Sequence, residues 1–323
     1  MKHKFIGIDI SKQTFDVAFC KNEKWEYYEF PNNLVGFRSL LKLIDLEDWV
    51  VMEASGPYYL SLASYLYSKQ VQVVVENPLV IKRYSQMKLY RAKTDRKDAR
   101  TIAEYACSNG LKRWEPNEKY ITDIKQLHTA IEGLQKQLHQ GSQQLEAFRS
   151  SGALDKYLEK EMKRIASFLQ SKISKLENRQ EELAKEHFAS SLKKLTSIPG
   201  IGNKTAIMLI VITNDFQKFD HYKKLIAYVG FSPRIYQSGT SVKGKGHICK
   251  MGKAQIRKLL YICSWSAKRW NKACKEMYER LAAKGKPERV IKIALANKLL
   301  KQAFAIAKGD KLFDENYQPN ICF

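Results

Sequence analysis

Four acidic residues stand where carboxylates are unusual. Asp9 follows Phe5, Ile6 and Ile8 in KFIGIDIS, and Glu53 comes near the end of WVVMEAS. An acid inside an apolar strand is costly unless it is paired or holds a cation. If the two strands are neighbours, their carboxylates converge at one edge of a sheet. Asp95 and Asp98, in KTDRKDARTIAEYA, are three residues apart, a spacing that puts both on one face of a helix. Four carboxylates aimed at one place repel one another strongly without a cation. An all-oxygen set suits Mg²⁺, or Mn²⁺, rather than zinc, and such a centre stabilises the attacking and leaving oxygens of an in-line phosphoryl transfer. Each acid also has a plainer reading. Asp9 can bond the amides of Ser11 and Lys12, and Glu53 can open a helix before Ser55-Gly56-Pro57. Asp95 and Asp98 can pair with Arg91, Lys93, Arg96 or Arg100.

The elements that must carry these acids are readable from periodicity. Residues 4–30 contain three runs, KFIGIDIS, FDVAFC and KWEYYEF, with the period-two alternation of strands and short SKQ and KNE turns between them. Asn33 is placed to cap a helix whose apolar positions Leu34, Phe37, Leu40, Leu41 and Ile44 keep helical spacing. WVVMEAS returns as a buried strand, followed by a helix over 58–68, the strand VQVVVEN closed by Pro78, and helical segments over 79–106. The order β-β-β-α-β-α-β-α predicts an α/β domain with a mixed sheet, its first three strands antiparallel and later ones added by crossovers.

From about Asp123 to Leu195 the chain is polar and Gln/Lys/Glu-rich, with apolar residues at spacings of three, four and seven. That pattern predicts two long helices broken at Ser150, Ser151 and Gly152, as an antiparallel hairpin or a dimerising coiled coil. Beyond Leu195, LTSIPGIGNKTAIMLI carries a P-G-I-G turn between two apolar halves. This is the pattern of a helix-hairpin-helix, whose glycine amides and following helix N-terminus hold a nucleic-acid phosphate; an ordinary glycine turn is the alternative. Residues 254–307 alternate Leu, Ile and Ala with Lys at helical spacing.

The partner is indicated by charge. Among 323 residues, 56 Lys and Arg stand against 33 Asp and Glu, a net charge of +23. Between His221 and Lys275 there is no acid at all, yet thirteen cations interleave with Tyr222, Tyr228, Phe231, Tyr236, Tyr261, Trp265 and Trp270. That composition neutralises phosphates and stacks on bases, and it marks Lys204, Arg234, Lys243, Lys245, Lys250, Lys253 and Arg257 as candidate nucleic-acid contacts. A solvated basic face over an aromatic core is the bland alternative. No apolar run reaches the length of a membrane span and no secretory apolar region opens the chain, so a cytoplasmic protein with no membrane partner is expected. The six cysteines are scattered without a C-x-x-C pair, which argues against a zinc ribbon or a disulfide framework.

GIDISK, VMEASGPYY, KTDRKDARTIAEYA, SIPGIGNKTA, YVGFSPRIYQSGTS, KGKGHICKMGKAQIRKLLY and KGKPERVIKIALANKLLKQAF, in that order, resemble the successive motifs of the insertion-sequence-110 family of transposases over nearly the whole chain. The resemblance implies an α/β plus α protein in three parts. A RuvC-like domain of the ribonuclease H fold is expected over 1–118, a coiled-coil helical segment over 119–190, and a mainly helical transposase domain with the helix-hairpin-helix over 191–323. It assigns Asp9, Glu53, Asp95 and Asp98 to a D-E-D-D metal site. It also implies that Ser238, in the stretch Pro233 to Gly239, is the nucleophile; without it Ser238 ranks no higher than Ser232, Ser241 or Tyr236. A serine hydroxyl needs a metal or a base to activate it.

The family resemblance further implies a recombinase that excises and inserts its element through a phosphoserine intermediate. In such a system a guide noncoding RNA pairs with donor and target DNA, and the protein mainly recognises shape and backbone. It implies dimers that pair into tetramers, with carboxylates and serine from different protomers. Two rival readings share many of these residues: a metal-dependent structure-specific nuclease that hydrolyses DNA with water and no serine, and a non-catalytic nucleic-acid-binding protein.

Overall fold

The computed structural model describes residues 4–90, 94–234 and 247–316, with the backbone of 237–238 and 242–243. The chain divides into two compact units, Met1–Asn117 and Glu118–Phe323.

The first unit is built on a five-stranded sheet. Strands β1 (Phe5–Ile10), β2 (Thr14–Lys21) and β3 (Lys24–Pro31) form an antiparallel meander; β4 (Trp49–Glu53) and β5 (Gln72–Glu76) add to β1 in parallel, giving the order β3-β2-β1-β4-β5. This is the mixed sheet expected from the alternation pattern. The crossovers are α1 (Leu34–Leu41) and α2 (Tyr59–Ser68), and α3 (Pro78–Met87) and α4 (Asp95–Ser108) follow β5. Asn33 caps α1 as its position predicts, its Oδ1 accepting from the amides of Val35 and Gly36 at 2.9 and 3.2 Å. Asn77 caps α3 in the same way, with Pro78 at the first helical position, where its missing N–H costs nothing.

Because side chains alternate along a strand, each face of the sheet has its own core. Ile6, Ile8, Ile10, Phe15 and Val17 pack with Phe37 and Leu40 of α1 and Leu62 and Leu66 of α2. On the other face Val51 and Val74 pack with Ile81 and Tyr84 of α3 and Ile102, Tyr105 and Ala106 of α4.

The second unit begins with two long helices, α5 (Lys119–Ser150) and α6 (Lys156–Thr196), turned back at Gly152, whose φ of +74° suits a residue without a Cβ. They form an antiparallel hairpin, tied by Gln180 Nε2, which donates to the Ile124 carbonyl at 3.1 Å, and by Gln135 Nε2, which donates to Glu177 Oε1 at 3.2 Å. Then follow α7 (Asn203–Thr213), α8 (Tyr222–Val229), four two-residue strands β6 to β9, α9 (Ala254–Trp270), α10 (Lys272–Ala283) and α11 (Glu288–Lys308). Helix α7 is buried along most of its length, from Thr205 to Thr213, and is the centre of this core; Leu225, Leu260, Leu295 and Leu299 belong to the same cluster. Among the described residues no helix is long and apolar enough to cross a membrane.

Candidate functional site

The sheet register lines up acids. Glu29 pairs with Asp16, Asp16 pairs with Asp9, and Glu53 pairs with Glu76. Ile8 is paired with Met52, so Asp9 is level with Glu53 one step further along the parallel pair. Residues in register share a face, so one row of five carboxylates crosses all five strands. Like charges directly opposite one another destabilise a sheet, and such a row persists only where another requirement holds it.

Helix α4 lies over this row. A Cβ added at Gly7 would fall on the Ala99 carbonyl oxygen and the Ala103 amide nitrogen, so only glycine lets α4 sit directly on the β1 backbone. Gly7 and Asp9 are two residues apart and face the same way, and Asp95 and Asp98 lie in the turn of α4 before Ala99. The Thr94 hydroxyl starts that turn by accepting from the Lys97 amide at 3.3 Å. The helix N-terminus favours negative charge in its first turn, which helps to hold both aspartates there.

The acids of the row and of α4 act on one another electrostatically. The Asp9 carboxyl is pushed up to about 6, first by burial and then by the charges of Asp98, Asp95, Glu53 and Asp16. Asp16 is also raised by burial and by Glu29 and Asp95, with Arg96 opposing. Glu76 is otherwise engaged: it accepts from the Tyr105 hydroxyl at 3.1 Å and from the Asn77 amide at 2.9 Å. The plainer readings fare differently. The Ser11 amide donates to the Thr14 carbonyl at 2.9 Å and not to Asp9. Glu53 ends its strand in register with Glu76, and α2 has no side-chain cap. Arg100 pairs with Glu104 at 2.7 Å, while Arg91 and Lys93 lie outside the described residues.

Three acids of the row, Asp16, Glu29 and Glu76, escaped the sequence reading. Asp16 in FDVAFC carried the same signal as Asp9, an acid in an apolar strand; Glu29 emerges only once the register is known. The donor set, oxygen throughout and gathered around a half-buried carboxyl, fits a hard divalent cation in kind. As the side chains stand, no three His, Cys, Asp or Glu among the described residues are close enough to share one ion.

The candidate nucleophile belongs to the second unit. Ser238 lies in β7 (Gln237–Ser238), paired antiparallel with β8 (Val242–Lys243), with Ser238 opposite Val242 and Gln237 opposite Lys243. Below them β6 (Pro233–Arg234) pairs with β9 (His247–Ile248). The base of this hairpin is fixed by two glycines. Gly230 has φ +86° and a Cβ there would meet the Met251 carbonyl oxygen at 2.6 Å, while one on Gly252, at φ +136°, would fall on the Tyr228 carbonyl oxygen. The Cys249 amide donates to the Ser232 carbonyl at 2.7 Å and that of Lys250 to the Gly230 carbonyl at 3.1 Å. Tyr236, Gly239, Ser241 and Lys245 lie outside the described residues.

The candidate basic contacts differ in what already engages them. Arg234, Lys250 and Lys253 are exposed. Arg257 donates from Nη1 to the Val229 carbonyl at 2.6 Å and so ties α9 to the end of α8. Lys204, in the first turn of α7, pairs with Glu177 of α6 at 3.2 Å.

Known proteins carry the same pattern. Residues 6–151 match a transposase family model of the IS110 type named for a DEDD set, and residues 192–279 match that of the transposase IS116/IS110/IS902 family. A pilin gene-inverting protein of Moraxella lacunata is 31% identical over 98% of this chain and 99% of its own length, and one of Moraxella bovis is 31% identical over the same shares. The transposase for insertion sequence element IS1111A of Coxiella burnetii is 25% identical over 80% of this chain and 76% of that protein.

Proposed function

The chain belongs to the IS110 family of transposases, enzymes of DNA recombination, and on that premise we propose that it cuts, exchanges and rejoins DNA strands through Ser238, with Asp9, Glu53, Asp95 and Asp98 holding Mg²⁺ or Mn²⁺. The observation that carries the reading is that Glu53 of β4 and Asp95 and Asp98 of α4 lie near enough to Asp9 of β1 for their charges to add to burial in raising its carboxyl to about 6.

A bound divalent ion supplies charge neutralisation for the attacking and leaving oxygens of phosphoryl transfer. The chain's own residues do the rest. The Ser238 Oγ bonds to phosphorus as its proton passes to a base, and the strand's bridging oxygen departs and leaves as a hydroxyl. The covalent phosphoserine conserves the energy of the phosphodiester, so an incoming strand hydroxyl can displace Ser238 and reseal the DNA. The hairpin of β6 to β9, clamped at Gly230 and Gly252, supports this serine. A noncoding RNA pairing with donor and target DNA chooses the sequence, while Arg234, Lys243 and Lys250 neutralise backbone phosphates. The excess of cations in the second unit supports this division of labour. The protein acts as a homo-oligomer, a dimer that pairs into a tetramer. The names of the Moraxella relatives suggest inversion as one outcome of the same strand exchange, alongside excision and integration.

The test is recombination by wild type and Ser238→Ala with matched RNA, donor and target. The variant is expected to lose strand exchange and to keep RNA binding. Retained exchange overturns the serine step; cleavage without exchange in both proteins favours the hydrolytic nuclease. Products absent with Mg²⁺ and with Mn²⁺ leave a binding protein.

A further inference from the structure

The outward face of α9 carries an arrangement that strand chemistry does not require. Lys258, Ile262, Trp265 and Arg269 are exposed and, at spacings of four, three and four, form one stripe along the helix. The opposite side of α9, with Ile256, Leu260, Cys263 and Ala267, is buried in the core. Ile262 and Trp265 are each 58% exposed, and their spacing of three makes them one apolar patch between the two cations.

Trp265 is held from beneath. Lys292 of α11 is buried, and its ammonium lies 3.5 Å from the centre of the indole ring. The same ammonium pairs with Glu288 at 3.3 Å, which anchors it within α11. One face of the indole therefore rests on a fixed cation, and the exposed area belongs to the other face and the edge. A ring fixed in this way loses little side-chain freedom when a second flat group lies on it, and flat aromatic groups stack well there.

Charge chooses the occupant. The whole of α9 has no acid, and the stripe begins and ends with a cation. Lys258 and Arg269 are eleven residues apart, about 16 Å along the helix, the span of about five stacked nucleotides at 3.4 Å each. A second protein surface would need acids to match; a nucleic-acid strand brings a phosphate for each cation and a base for the indole. The bases of a duplex are stacked on one another and present only edges, so an unpaired strand is the form that uses Trp265.

We propose that the exposed stripe of α9 binds an unpaired nucleic-acid segment, with a base stacked on Trp265 and flanking phosphates on Lys258 and Arg269. The inference rests on the nucleic-acid reading of the second unit and is separable from the cleavage chemistry, because it requires neither Asp9 nor Ser238.

The test titrates labelled ten-nucleotide thymidine DNA, uridine RNA and a ten-base-pair duplex with the full-length protein. Trp265→Ala is expected to weaken binding to one or both single strands roughly ten-fold or more, while Trp265→Phe stays within about three-fold and duplex binding changes little. Lys258→Gln and Arg269→Gln each lower the salt slope on single strands by about 0.7. Unequal loss on DNA and RNA identifies the strand. Trp265→Ala binding of single strands at wild-type strength overturns the proposal, as does an equal loss on duplex and single strands. Dissociation of an oligomer by Trp265→Ala, with single-strand affinity unchanged, also overturns it and makes the stripe a protein interface. A thermal melt of each variant separates loss of the stripe from loss of fold. Asp9→Ala that stops cleaving but keeps Trp265-dependent binding leaves the inference standing and isolates any failure of the cleavage reading.

Discussion

The two units handle charge in opposite ways. Up to Asn117 the chain has 18 Lys and Arg against 14 Asp and Glu, close to balance; from Glu118 onward it has 38 against 19. The nearly balanced unit nevertheless gathers carboxylates into one row, and its half-buried member, Asp9, is driven toward its neutral form. In the basic unit the same happens with the sign reversed: Lys125 on α5 is pulled down to about 8, first by burial and then by Lys218 and Lys253. In both places burial leads the shift toward the neutral form, and like charges gathered nearby add to it. The first unit suits a compact cation at one point, and the second a polyanion spread along a surface.

That contrast can be broken most severely at Gly7. A valine there must push α4 off β1, because its Cβ would fall on helix backbone. Gly7→Val is expected to lower the stability of the first unit by about 1–3 kcal/mol or more and to abolish strand cleavage by carrying Asp95 and Asp98 away from Asp9. Full activity with a wild-type melt would show that α4 does not position the acids. The next largest effect concerns the row itself. Asp16→Asn removes one charge that raises Asp9, so the Asp9 carboxyl should titrate lower in metal-free protein, as read by carboxyl carbon NMR; an unmoved titration would mean that the two do not sense one another.

Lys125 sharpens the other side of the comparison. Its folded value lies below its ordinary one, so folding opposes its protonation. Below about pH 8 the lysine is charged in both states and the folded protein bears the full cost of burying it; the cost fades as pH rises toward 10.5. Lys125→Met should therefore raise the melting temperature by about 2–4 °C at pH 7, with the gain shrinking at alkaline pH. A gain that does not depend on pH would place its origin in packing. The smallest effect is expected from single lysines: Lys243→Gln or Lys250→Gln should weaken nucleic-acid binding across sequences and reduce the salt slope by about one unit each. Arg257→Gln should instead lower the melting temperature, since this guanidinium holds the Val229 carbonyl.

How far the sequence foretold this structure depended on the kind of signal. Strand alternation and caps such as Asn33 are local, and they delivered the order of the five strands and helices of the first unit. Glycine at 152 marked the hairpin turn for the same reason. Register is not local: Asp16 was visible as an acid in an apolar strand, but its place beside Asp9 and Glu29 depends on how three strands slide against one another. The strands β6 to β9 were also missed, because a segment of Gly, Ser and Lys with two-residue strands has no period to read. Arg257 and Lys204 looked like any other cations until their partners, the Val229 carbonyl and Glu177, were placed by the tertiary fold.

The most direct measurement traps the covalent intermediate. Wild type, Asp9→Ala and Ser238→Ala are incubated with the element's flanking RNA, labelled donor and target DNA and Mg²⁺, then denatured and separated by size. A protein–DNA adduct in wild type that disappears in both variants is the predicted result. Cleaved DNA without an adduct, lost in Asp9→Ala but undiminished in Ser238→Ala, would contradict the account and make the carboxylate row the centre of a hydrolytic nuclease.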